Sequence, residues 1–319
     1  MTVYKGKTIA VVVPAYNEER LIGRVIETMP EWVDRIVVVD DCSQDGTPDR
    51  VRSYQHAMDE RLHLICHETN QGVGGAIATG YQWCRDNAAD VAVVMAGDAQ
   101  MDPTDLPALL DPVVSGEVDY AKGNRLFTGD AWNQIPKVRY LGNSMMSLLT
   151  KIASGYWHVA DSQSGYTAVG ARVLSTIDWH RMYRRYGQPN DLLVRLNVHN
   201  FRVRDVPVTP VYNIGEDSGV RPLRMIPKLS WLLLKLFLYR MWQKYVIRDF
   251  HPLVFFYALA FFLLILSVPL GLRVFYRWLI LETQIPAINA LAWMSSVIAG
   301  LQSLFFAMWF DMEYNRELR

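Results

Sequence analysis

The sequence predicts an α/β fold, a doubly wound nucleotide-binding type of domain, followed by amphipathic interfacial helices and two transmembrane helices. Three observations carry this. Short apolar β-branched runs alternate with helical patterns over the first half of the chain, as buried parallel strands and their crossover helices do. Each run is followed by a polar or glycine-rich segment. The C-terminal end holds two long stretches without a charged residue.

The elements follow in order. Ile9 to Val13 reads as a first strand, Asn17 to Thr28 as a helix, Ile36 to Val39 as a second strand, and a helix opens after Gly46. Leu62 to Ile65, a helix from Gly74 to about Asn87, the strand Val91 to Met95 and a helix opening at Pro103 continue the alternation. In such sheets ligands bind beyond the carboxyl ends of the strands, so the intervening segments are where chemistry is expected.

Composition narrows the classes. The 319 residues hold 32 Lys and Arg against 32 Asp and Glu, which excludes a basic nucleic-acid binder and an acidic disordered chain. Cys42, Cys66 and Cys84 are three, far apart and without a C-x-x-C pair, so neither a disulfide framework nor a zinc knuckle is indicated and a reducing compartment fits. Met1 to Lys7 is polar and leads straight into a strand, so no signal segment is expected there.

From His251 to Leu272, and again from Thr283 to Phe310, no Lys, Arg, Asp or Glu occurs. Either stretch is long enough to cross the roughly 30 Å hydrocarbon layer. Trp293 and Trp309 suit the interfaces, and two spans put both termini on one side. Between Arg224 and Arg248 basic residues (Arg224, Lys228, Arg240, Lys244, Arg248) recur at helical spacing beside Ile226, Leu229, Leu233, Leu234 and Phe237. This reads as a helix in the headgroup layer with its basic face on anionic lipid. The basic flank, against Arg273 and Arg277 in the short loop, predicts a cytoplasmic catalytic domain and a multi-pass protein of the inner cell membrane. The expected division is 1–222, 223–250 and 251–319. Ala292, Ser295 and Gly300 leave a homo-oligomer open.

The post-strand segments specify a ligand class. Asp40 and Asp41 can accept hydrogen bonds from a base and a ribose, and Tyr16 can pack on a base. Gly72, Gly74 and Gly75 at a helix start permit close backbone approach to a diphosphate. They do not form G-x-G-x-x-G after the first strand, which disfavours a dinucleotide fold. Asp98 and Gln100 offer hard oxygen ligands suited to Mg²⁺ or Mn²⁺.

Pro14-Ala15-Tyr16-Asn17-Glu18, the run Asp40-Asp41 to Asp45-Gly46-Thr47, Asn70 to Ala76, and Gly97-Asp98-Ala99-Gln100 together resemble the family 2 inverting glycosyltransferases of GT-A fold, nearest to the dolichol- and polyprenyl-phosphate sugar transferases. The resemblance implies transfer of a sugar from a UDP- or GDP-sugar to a polyprenyl phosphate. By position it puts the base and ribose near Pro14, Tyr16, Glu18, Asp40 and Asp41, with Gly74 on the donor side. It puts the metal and diphosphate on Asp98 and Gln100 and the acceptor phosphate on Arg125 and Arg139. Asp191 stands where inverting members carry an acidic residue, as a base or an orienting group. Ser218 and Arg221 stand in a mobile loop over the diphosphate, although Val211 replaces a frequent arginine. Relatives read Asp-x-Asp where this chain has Ala96-Gly97-Asp98. Two explanations stand: an Asp→Ala substitution, or metal binding through Asp98, Gln100 and the diphosphate alone. The rival readings are transfer to another lipid or glycan acceptor, and a non-catalytic nucleotide-sugar-binding membrane scaffold.

Overall fold

The computed structural model describes residues 4–125, 137–209, 211, 222–281 and 284–319. The chain divides into two compact units, residues 1–237 with 318–319, and residues 238–317. The boundary expected after residue 222 falls at the first residue of the helix Pro222–Trp242, and the division between units falls further inside that helix.

The first unit is built on a seven-stranded sheet. Its strands are β1 (Ile9–Ala15), β2 (Arg35–Asp40), β3 (Leu62–Cys66), β4 (Val91–Val94), β5 (Tyr120–Asn124), β6 (Thr167–Gly170) and β7 (Val203–Pro207), in the order β3-β2-β1-β4-β6-β5-β7. β1 to β4 are mutually parallel where they pair, as expected. β6 runs antiparallel between β4 and β5, so the sheet is mixed. The sequence does not announce β6, because Thr167–Gly170 is short and lacks a β-branched run. The chain moves from β1 outward to β2 and β3 and then returns to place β4 on the other side of β1. The topological switch point therefore lies between β1 and β4, which is where open α/β sheets hold ligands.

Alternate residues of each strand feed opposite layers. Ile9, Val11 and Val13 pack with Ile22, Ile26, Leu106 and Leu110 on one face, and Ala10, Val12 and Val94 pack with Ala76, Tyr81 and Trp179 on the other. All seven residues of β1 are buried. Burying each Val or Ile contributes about 1.5–3 kcal/mol relative to exposure. Helix α1 (Ile22–Glu27) starts later than expected, because Asn17 takes a left-handed φ of 58° that no helix accommodates. Further helices among the described residues are α2 (Thr47–Met58), α3 (Val73–Asp86), α4 (Leu106–Val114), α5 (Lys137–Ser154), α6 (Ala171–Thr176) and α7 (Gln188–Val198). Pro103 lies in a 3₁₀ turn leading into α4, whose start is capped by Asp102 accepting from the Thr104 N–H at 2.8 Å.

α8 (Pro222–Trp242) continues into a π-helical turn, Gln243–Arg248. Within the second unit, α9 (Leu253–Leu279) and α10 (Ala287–Tyr314) form a hairpin. Each is about 40 Å long. Only 22% and 17% of their most apolar windows are buried, so their leucines and phenylalanines face outward, as lipid-facing helices require and a soluble core helix does not.

Three expectations are corrected here. Arg273 and Arg277 are not in a loop, because α9 runs on to Leu279 and carries both in its last turns. Gly300 is not offered to another copy: a Cβ there would come within 3.0 Å of Leu264, so this glycine serves the packing of α10 on α9. Arg240 and Lys244 do not form a lipid-facing basic side. Both are buried, and Arg240 makes a two-pronged ion pair with Asp311 at 2.7 and 2.9 Å while Lys244 donates to Asn315 at 2.7 Å. A buried charge must be paired, and Asp311, the carboxylate that ends the second uncharged stretch, supplies the partner.

Candidate active site at the carboxyl ends of the strands

The β1 and β2 loops are fastened to each other by side chains. The Asn17 N–H donates to Ser43 Oγ at 2.9 Å and Asn17 Oδ1 accepts from the Gln44 N–H at 2.8 Å. The Glu18 N–H donates to Thr47 Oγ1 at 2.8 Å, and Asp45 receives the Thr47 N–H at 3.0 Å. The Asp45-Gly46-Thr47 run thus holds the shape of the site. Pro14, one residue before the end of β1, lies opposite Val39, and its carbonyl accepts the Gly97 N–H at 3.1 Å, which joins the β1 and β4 ends. The Tyr16 ring is 44% exposed at this rim. Glu18 is half-buried, and burial, then the charges of Asp98 and Asp45, push its carboxyl up to about 7.

Asp40 and Asp41 are both buried but differ in what their carboxylates do. Asp41 is saturated: it accepts from the Gln71 N–H at 2.8 Å, the Gly72 N–H at 2.7 Å and His67 Nδ1 at 2.8 Å. Asp40 accepts only the Ser43 N–H through Oδ2, at 3.1 Å, and its buried Oδ1 has no hydrogen-bond partner among the described residues. Such an orphaned acceptor is costly unless something donates to it. Asp40 is therefore the better placed of the two for a base N–H, and Asp41 is the clamp of the 70–72 loop.

The glycines of that loop meet protein backbone. Gly72 has a φ of 86°, and a Cβ on it would lie 2.5 Å from the Arg184 carbonyl oxygen. A Cβ on Gly74 would collide with the Tyr183 carbonyl oxygen and with Gln188. The close approach that glycine permits at position 74 is thus to the 183–188 segment. Asp191, in the first turn of α7, holds the same segment: its Oδ2 accepts the Tyr183 N–H at 2.7 Å and Arg195 Nε at 2.9 Å. Burial raises its carboxyl against the opposing pull of Arg195. With 2% exposure it is arranged to anchor and orient, not to take a proton from a substrate.

Beyond β4, Asp98 and Gln100 share a turn in which Asp98 Oδ1 accepts the Gln100 N–H at 3.1 Å. Ala99 takes a left-handed φ of 57° there. Among the described residues no three His, Cys, Asp or Glu groups converge in a way that could hold a metal ion. The repulsion between Asp98 and Glu18 is nevertheless what a bound cation would relieve. The donor set fits Mg²⁺ or Mn²⁺ of the kind that takes one or two protein oxygens and completes its shell with substrate phosphate and water. Ala96 adds no side-chain ligand, and its N–H lies 3.2 Å from Met101 Sδ.

On the far side of β4, Arg125 follows β5 and is gripped by Asp161, Nε to Oδ2 at 2.8 Å and an Nη to Oδ1 at 3.2 Å. The side chain of Arg125 remains 38% exposed while that of Asp161 is 5% exposed. The Arg139 side chain, Ser218 and Arg221 lie outside the described residues; Val211 donates its N–H to the Gln100 carbonyl at 3.1 Å. Sequence reasoning missed the charges beneath Arg125. Lys122 is wholly buried in β5, and Asp205 on β7 accepts the Ala160 N–H at 2.7 Å. Lys122 interrupting Tyr120–Asn124, a strand buried at all five positions, was the available signal.

A mixed sheet with its switch point beside β1, an unsatisfied carboxylate at the end of β2 and a carboxylate turn after β4 define the class: a glycosyltransferase of GT-A architecture. The Glycosyl transferase family 2 model matches residues 10–178, and the chain belongs to that family. Among curated relatives, it is 32% identical over 216 residues to the undecaprenyl-phosphate mannosyltransferase of Micrococcus luteus, covering 66% of this chain and 86% of that one. It is 28% identical over 218 residues to the UDP-N-acetylglucosamine–dolichyl-phosphate N-acetylglucosaminyltransferase of Methanococcus voltae, covering 65% and 86%. Among solved structures, the glucosyl-3-phosphoglycerate synthase of Mycobacterium tuberculosis, in complex with Mn²⁺, UDP and phosphoglyceric acid, superposes with a TM-score of 0.54 at 22% identity over 74% of this chain and 79% of that one. That likeness is one of fold.

Proposed function

We propose that the protein is a membrane-anchored inverting glycosyltransferase that moves a sugar from a UDP- or GDP-sugar to a polyprenyl phosphate at the cytoplasmic face of the cell membrane. The observation that carries the acceptor is Arg125: its guanidinium is fixed by Asp161 at a strand end of the same sheet edge as Asp98, yet stays partly exposed. A planar guanidinium matches phosphate geometry. The outward-facing apolar helices α9 and α10, and relatives named for lipid-phosphate acceptors, support a lipid as its carrier. Lys228, Lys235 and Arg248, which stay exposed before α9, support the cytoplasmic orientation.

In this reading Tyr16 lies on the base, Asp40 Oδ1 accepts its N–H, and Asp98 with Gln100 would hold a Mg²⁺ or Mn²⁺ ion against the diphosphate. When bound, the ion offsets the charge of the leaving group. Arg125 holds the acceptor phosphate so that one of its oxygens attacks the anomeric carbon as the bond to the nucleoside diphosphate breaks, inverting the anomer. A phosphate monoester ionises with a second pKa of about 6, so it needs no general base near neutral pH. Asp191 is left to orient the 183–188 segment.

The test is nucleoside diphosphate release from a panel of UDP- and GDP-sugars, with Mn²⁺ or Mg²⁺, with and without polyprenyl phosphate. One donor should stand out, and its turnover should require the lipid phosphate. Release indifferent to the lipid phosphate would overturn the acceptor. Ala96 favours one rival, a nucleotide-sugar-binding scaffold; donor binding without release, in the Ala96→Asp variant as well, would select it.

A further inference from the structure

We propose that His67 is a positioning residue for the donor: it clasps the Asp40–Asp41 pair from the end of β3, and so leaves Asp40, and not Asp41, to receive the base N–H of the nucleotide. The inference rests on the donor reading above.

His67 follows Cys66, the last residue of β3, which pairs with Asp40 on β2. Its N–H donates to the Asp40 carbonyl at 2.9 Å, and its ring Nδ1 lies 2.8 Å from Asp41 Oδ1. One residue thus holds the backbone of the first acid and the carboxylate of the second. The peptide that joins them is fixed from the β1 side as well, since the Asp41 N–H donates to the Ala15 carbonyl at 2.9 Å. The ring is itself anchored: Nε2 lies 2.9 Å from Thr79 Oγ1 on α3, and the side chain is 6% exposed. Its tautomer follows from its partners. A carboxylate accepts, so Nδ1 carries the proton, and Nε2 accepts from the Thr79 hydroxyl. Asp41 needs this tie because its other partners, the Gln71 and Gly72 N–H groups, belong to the loop that it clamps. They would move with it. Among the described residues the ring is the one side chain that bonds the Asp41 carboxylate. Cys42 takes a left-handed φ of 63°, so the chain turns away directly after the pair. Without the ring, Asp41 Oδ1 would regain a lone pair and rival the unpartnered Asp40 Oδ1 for the base N–H.

The experiment measures dissociation constants of UDP and GDP, with Mn²⁺, for the full chain as wild type, His67→Asn, His67→Gln and His67→Phe. The tighter-binding diphosphate is then compared with its form methylated at the base N–H, on N3 of uracil or N1 of guanine. An asparagine amide can replace the Nδ1–H bond to Asp41, whereas a glutamine amide reaches the Nε2 position instead. His67→Asn should therefore bind within about twofold of wild type, and His67→Gln and His67→Phe about tenfold more weakly. The methylated diphosphate has no N–H for Asp40, so with it wild type and variants should agree within about twofold. Nitrogen NMR of the wild-type ring should show the proton on Nδ1. Equal losses in His67→Phe with both forms of the diphosphate would mean a general structural role and would overturn the inference. So would His67→Asn binding as weakly as His67→Gln, unchanged affinity in His67→Phe, or a wild-type ring protonated on Nε2 alone, which needs no variant to fold. A wild type that binds neither diphosphate would bring down the donor reading itself, a result distinct from the others.

Discussion

Asp41 Oδ2 accepts the Gly72 N–H at 2.7 Å across the gap between the β2 end and the start of α3, while Oδ1 takes the neighbouring Gln71 N–H. One of the two adjacent acids thus builds the site, and Asp40 beside it keeps an acceptor for a ligand.

Asp41→Ala should therefore behave first as a stability variant. It strands two backbone N–H groups and the His67 ring in a buried place, and charge-assisted hydrogen bonds are worth about 1.5–3 kcal/mol each. A loss of about 3 kcal/mol in chemical denaturation is expected. Asp40→Asn, which keeps the volume, should lower donor affinity with little change in stability; equal effects of both variants on folding would contradict the division of labour.

Ala96→Asp should raise metal-dependent turnover by at least about tenfold, because a second carboxylate beside Asp98 strengthens the ion's hold on the leaving diphosphate. Rates measured across a Mn²⁺ titration, with chelator as the blank, check this. No gain would mean that Asp98, Gln100 and the diphosphate suffice.

Lys122 predicts a pH dependence whose sign can be worked out. Burial pulls its ammonium down to about 8, with Asp161 and Asp205 opposing that pull and Arg125 adding to it. The charge is present below that value and lost above it. Between about 8 and the ordinary lysine value of 10.5 the unfolded chain binds the proton that the folded chain has released, so this group favours folding increasingly as pH rises. Chemical denaturation of wild type and Lys122→Met between about pH 7 and pH 10 checks this, and equal pH slopes in the two would be the contrary result.

Arg240→Leu, or Asp311→Leu alone, should cost about 3–5 kcal/mol, since each takes the two-pronged ion-pair partner from a buried charge. The pair is fully buried, and Tyr245 and Asn315 also bond Asp311, at 2.7 and 2.9 Å. Replacing both partners with leucine should cost less than either single change. Thermal unfolding in detergent gives the comparison, and additive losses would show that the two residues do not act together.

The first four strands, their order of appearance and the segments carrying Tyr16, Asp40, Asp98 and Arg125 were legible in the sequence, as were two apolar helices. Periodicity and turn chemistry are local, and a run such as Ile9 to Val13 has few ways to bury itself. The antiparallel β6, the extent of α9 and the division between Asp40 and Asp41 were not legible. Two adjacent aspartates look alike until the 70–72 loop is folded onto one of them. The same holds for Gly74, whose neighbour is the 183–188 backbone, and for Arg240 and Lys244, whose helical spacing suggested a lipid-facing side until Asp311 and Asn315 buried them. Residue type and spacing determined which ligands this chain can address; which polar atoms are left for those ligands was decided by long-range contacts, because a hydrogen bond or ion pair already made inside the fold is not available to a substrate.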